Sequence, residues 1–124
     1  MIIISISSKN FSVYLGASKM NQSANSLIDV YIKNDDRKKL WELAFEFGNE
    51  IDLNKIASYY IVVRDAFHIC ELISAVSEYL DLDTIFDNII LTNDKNFMLL
   101  IANNPVIKSI IDYTYLYRLE KACY

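Results

Sequence analysis

Between Asp65 and Leu80 the apolar positions Ala66, Ile69, Ile73, Val76 and Leu80 recur at steps of three and four, with Arg64, His68, Glu71 and Glu78 on the opposite side. At about 100° per residue this is one narrow stripe. The pattern predicts a helix with Ile73 buried at its middle, and this helix is expected to be the centre of the fold. Tyr59 to Val63 carries strand-forming side chains. Val62, however, prolongs the stripe one step backwards, and the balance favours helix.

The N-terminal third has another rhythm. Ile2 to Ser7 and Phe11 to Ser18 are apolar runs separated by the turn-like Ser8-Lys9-Asn10, the pattern of a β-hairpin. Lys19 to Asn25 is polar and aperiodic, as a loop would be. Leu27 to Lys33 alternates, with Ile28, Val30 and Ile32 on one side, and predicts a third strand. The fold class expected is therefore α+β: an N-terminal antiparallel β-hairpin or three-stranded sheet followed by a helical C-terminal two-thirds, in a single domain spanning 1–124.

Punctuation marks the helices. Asn34-Asp35 precedes a face of Leu40, Leu43, Ala44 and Phe47 that ends at Gly48, a natural helix stop. Asp52 caps a short helix through Ala57. Asp81-Leu82-Asp83 opens Thr84 to Ile90, and Thr92-Asn93-Asp94 opens Lys95 to Ala102. Asn104 and Pro105 open a last helix over Val106 to Ala122. No internal repeat is evident at this level.

Composition narrows the chemistry. The only glycines are Gly16 and Gly48, so no glycine-rich phosphate loop exists. One histidine and two cysteines, Cys70 and Cys123, supply neither a zinc site of the usual kind nor a disulfide framework. No metal and no cofactor are expected. The Met1 to Ser7 start is too short for a secretory signal core, and no run reaches a membrane span, so a cytoplasmic protein is expected. His68 is the one candidate general base, within reach of Asp65 or Glu71 on a helix.

The charge is uneven. Glu42 to Asp94 holds eleven acids and two bases, while both flanks are net basic. With no catalytic constellation, an acidic block and surplus tyrosines, the expected function is a small acidic binding protein of the immunity-protein, antitoxin or phage-inhibitor kind. Its partner would be a protein with a basic surface, such as a toxin or nuclease, and no direct nucleic-acid binding is expected. The residues expected to carry binding are Glu71, Glu78, Asp81, Asp83, Asp87, Tyr113, Tyr115 and Tyr117. The alternatives are a small enzyme or enzyme subunit using His68 with a carboxylate, and an oligomerising structural subunit held by the C-terminal helix.

Overall fold

The computed structural model describes residues 21–123, and these are helical. In order they form α1 (Gln22–Lys33), α2 (Arg37–Phe47), α3 (Leu53–Val62), α4 (Ala66–Val76), α5 (Leu82–Leu91), α6 (Lys95–Ala102), α7 (Pro105–Ile110) and α8 (Tyr113–Cys123). Single 3-10 turns, Gly48–Glu50 and Ser77–Tyr79, follow α2 and α4. The expected sheet is overturned. No strand occurs among the described residues, and Leu27–Lys33, read as a third strand, is the greater part of α1. Ala24 and Ile28 are buried, Tyr31 and Ile32 pack against the core, and Val30 is exposed. That is the i, i+4, i+7, i+8 spacing of a helix. The two runs Ile2 to Ser7 and Phe11 to Ser18 lie outside the described residues.

The chain repeats itself every 29 residues. The starts of α2 and α4 are 29 apart, as are those of α4 and α6, and those of α3 and α5. The caps follow suit. Asp36, Asp65 and Asp94 each accept the backbone N–H three residues on, and Asp52 and Asp81 do the same for α3 and α5. The residue before each second-helix cap, Asp35, Arg64 or Asn93, is left-handed with φ of 53°, 59° and 53°. Asp and Asn tolerate that conformation. Arg64 is the costly member, and its guanidinium donates to the Ile61 and Val62 carbonyls at 2.8 and 3.1 Å, satisfying the end of α3. The core repeats by class rather than by identity: Leu40, Ile69 and Met98 occupy one position, and Leu43, Leu72 and Ile101 another, all buried.

Each repeat is thus a pair of antiparallel helices that cannot bury its own apolar faces, and stacking neighbours closes the core. The second helices α2, α4 and α6 lie side by side in one layer, and α3, α5 and α8 in the other. Polar stitches recur with the same period. Asn25 accepts the Asp52 N–H at 2.8 Å, and 29 residues later Asn54 accepts the Asp81 N–H at 3.2 Å. In the third repeat α7 takes the place of the 3-10 turn, started by Asn104 and Pro105. The single C-terminal helix expected over Val106 to Ala122 is therefore two, because Asp112 caps a fresh start with the Thr114 N–H at 2.8 Å. The central helix is α4 as expected, with Ile73 buried, though it stops at Val76 rather than Leu80.

Candidate functional site

Between α2 and α4 runs a surface groove of about 360 Å³, lined by Lys38, Trp41, Phe67, His68 and Glu71. The repeat places it. Lys38 and Phe67 occupy one position in successive repeats, and Glu42 and Glu71 another. Positions that face the core carry Leu40, Leu43, Ile69 and Leu72, so these side chains are left to point outward. Phe67 is 67% exposed and Phe45 68%. Phe45 stacks on Trp41 with ring centroids 5.2 Å apart and planes 10° apart, so the two make a rigid aromatic wall.

The floor of the groove at its α4 start is a polar network. The Asp65 side chain accepts the His68 backbone N–H at 2.9 Å, and its other oxygen lies 2.7 Å from His68 Nδ1 and 3.3 Å from Arg37 Nη1. A carboxylate only accepts, so Nδ1 carries the proton in this contact and Nε2 is the free ring nitrogen. Burial works against the Asp65 charge. The bonds from the His68 amide and ring and from Arg37 outweigh it and hold the carboxyl below the ordinary range. Arg37 also pairs with Asp35 at 2.8 Å, and Tyr59 donates its hydroxyl to Asp35. The Tyr60 ring stacks on the imidazole at 5.3 Å while its hydroxyl donates to the Arg37 carbonyl at 2.8 Å. His68 is thereby fixed in place, with 22% of its side chain exposed. Cys70 is on the other side of α4. It is buried, and burial together with the nearby Glu71 charge pushes its thiol up to about 12. It is a core side chain with little thiolate to offer as a nucleophile.

The eight residues expected to bind a partner fall into separate places. Glu71 lines the groove. Glu78 is exposed in the 3-10 turn after α4. Asp81 caps α5, and the Thr84 hydroxyl and amide hold its carboxyl below the ordinary range. Asp83 accepts the Tyr115 hydroxyl at 2.7 Å, and this bond raises the phenol's pKa. Asp87 pairs with Arg118. The structure therefore brings Asp83, Asp87 and Tyr115 together as the α5–α8 contact, with the Tyr115 ring stacked on buried Phe86 at 5.1 Å. Tyr113 and Tyr117 form an exposed pair along α8, 6.1 Å between centroids, with Lys121 over Tyr117.

Much of the acidic block is a consequence of the repeat. Asp52, Asp65, Asp81 and Asp94 are helix caps, and Asp94 also pairs with Arg64 at 3.5 Å. By contrast Glu42, Glu46 and Glu71 are exposed on the second-helix layer and enter no ion pair among the described residues. Sequence reading missed Trp41, Phe45 and Phe67 as a group. Their signal was there: large aromatics at positions whose three-and-four spacing puts them off the core stripe.

Among the described residues no three of His, Cys, Asp and Glu converge on a metal-sized site. No helix among them is long and apolar enough to cross a membrane. No family model matches the chain, and neither a curated protein nor a solved structure matches it.

Proposed function

We propose that this chain is a protein-binding helical-repeat module that acts by covering a surface of its partner, the mode of action of immunity proteins, antitoxins and phage inhibitors, and that the α2–α4 groove is its binding face. The observation that carries the reading is the aromatic wall of Trp41, Phe45 and Phe67. Phe45 and Phe67 stand exposed on a helix layer whose inward positions are already filled, and half-buried Trp41 stacks on Phe45. Exposed aromatics clustered on rigid elements are typical of binding hot spots, because they bring large area at small entropic cost. Stacked helix pairs supply a continuous, rigid face on which such a cluster can sit.

A second reading rests on the Asp65–His68 pair, which has the geometry of an oriented general base. A base needs a nucleophile or an activated proton beside it, and buried Cys70 is not one. Fixing His68 within the groove equally serves to shape a binding floor.

The test is photocrosslinking in extract of the source cells. A benzoylphenylalanine replacing Phe67 is expected to capture a discrete protein, and the same group replacing Tyr113 is not. Capture from position 113 alone would move the binding face to α8 and contradict the assignment.

A further inference from the structure

We propose that the outer face of α6 docks on a second copy of this chain, the two α6 helices lying antiparallel about a two-fold axis between Leu99 and Leu100. The inference is independent of the α2–α4 binding face. Asn96, Leu99 and Leu100 of α6 and its C-cap residue Asn103 line one surface hollow. Steps of three, one and three put them within about 100° of the helix circumference. Asn96, Leu100 and Asn103 are exposed, Leu100 by 64%, and Leu99 is half-buried. The opposite side of α6, with Phe97, Met98, Ile101 and Ala102, is already buried in the core. The helix is thus apolar on both sides, with Lys95 as its one charge. A helix that is apolar all round belongs in a buried setting.

The repeat sets this face apart. The position of Leu100 holds Glu42 and Glu71 in the two earlier repeats, both exposed. The position of Leu99 holds Trp41 in the first repeat, and there α4 lies alongside. Among the described residues no second helix follows α6 in its layer. The order of the residues selects the occupant. Asn-x-x-Leu-Leu-x-x-Asn reads the same in both directions. Laid antiparallel on its own copy, the face sets Leu99 against the copy's Leu100 and Asn96 against the copy's Asn103, and the converse. A two-fold contact needs this self-complementarity. Leucine meets leucine, and an amide carries both donors and an acceptor, so asparagine can pair with asparagine. No like charges are brought together. The copy's α6 also prolongs the layer in which α2, α4 and α6 lie side by side. Four residues are far fewer than the roughly 20–30 a side of a standard interface, so the dimer is weak and concentration-dependent.

Sedimentation equilibrium of the full chain is the test. A reversible monomer–dimer equilibrium is expected between about 10 µM and about 1 mM, the range of so small a contact. Leu100→Glu installs the residue of the two earlier repeats, so it suits the helix, and it should weaken the dimer at least tenfold with an unchanged Tm. Charge pairs read the direction. Asn96→Lys with Asn103→Glu should dimerise at least as tightly as the native chain, because antiparallel helices bring each lysine to a glutamate. Asn96→Lys with Asn103→Lys, and Asn96→Glu with Asn103→Glu, should both weaken the dimer severalfold. A general effect of net charge would move these last two in opposite directions, since one takes the charge of −4 toward zero and the other away from it. Melting curves establish that each variant folds, and the exposed single changes Leu100→Lys and Asn96→Lys, expected to weaken the dimer, serve where one does not. A native chain still monomeric at about 1 mM, as when another segment or protein occupies the face, would overturn the proposal. So would a dimer that Leu100→Glu leaves unchanged, or an equal response of the three charge-pair variants.

Discussion

The α2–α4 surface and the α5–α8 surface both carry acids and aromatics, and they use them in opposite ways. At α5–α8, Tyr115 donates to Asp83, Arg118 pairs with Asp87, and the Tyr115 ring lies on Phe86. These side chains join one helix to the next. At α2–α4, Trp41 and Phe45 stack on each other and Phe67 sets its ring edge-on to His68 while staying 67% exposed, beside glutamates with no ion-pair partner among the described residues. Residue type alone does not distinguish the two. What distinguishes them is whether a carboxylate or ring already has a partner inside the fold, since only an uncommitted group has its interaction energy left for another molecule.

Ile73 is fully buried on α4, and changing it should have the largest effect. Ile73→Asp would place an unpaired charge at a fully buried position, costing several kcal/mol of the roughly 5–15 kcal/mol a domain of this size holds. Loss of the cooperative melting transition is expected, and an unchanged Tm would contradict the packing of α4. Next comes the aromatic wall. Trp41→Ser with Phe67→Ser should weaken partner binding by about 30-fold or more, at the scale of one hot spot, with little change in Tm.

Asp65 sits between folding and site. Asp65→Ala removes the α4 cap and the partner of both Arg37 and His68, and should cost about 1–3 kcal/mol in chemical denaturation. Its folded carboxyl titrates below the unfolded value of about 3.9, so its contribution is present above that pH and is lost as pH falls through the lowered folded value. The Tm gap between wild type and Asp65→Asn should therefore be full at pH 6 to 7 and close in acid below about pH 4. The smallest effect belongs to the α5–α8 pairings. Asp83→Asn with Asp87→Asn should cost no more than about 1 kcal/mol, as exposed pairs do, and leave binding unchanged.

Helix ends were the most legible part of the sequence. Gly48, Asp52, Asp94, Asn104 and Pro105 each stop or start a helix as local chemistry predicts, because a cap acts through its own backbone neighbours. Leu27–Lys33 misled because Ile28 and Ile32 are compatible with both periods. The deciding residue, Ala24, lay in a stretch read as loop. The repeat stayed hidden because its positions conserve size and burial rather than identity, as Leu40, Ile69 and Met98 do. The capping aspartates and left-handed turns at 29-residue intervals were its strongest trace. The groove was not legible at all: Lys38, Trp41 and Phe67 come together only once α2 and α4 lie side by side, a relation set by the repeat. Glu71 stands out in the sequence for its charge alone, and its place in the groove beside Phe67 and His68 follows only from the packing of α2 on α4.

The central claim is that α2–α4 binds while α5–α8 holds the fold. It is tested most directly by measuring partner affinity by calorimetry and Tm by thermal melting on the same two variants. Trp41→Ser/Phe67→Ser is predicted to lose affinity and keep its Tm, and Asp83→Asn/Asp87→Asn to keep affinity and lose at most a few degrees. Full affinity in the first variant together with lost affinity in the second would contradict the account.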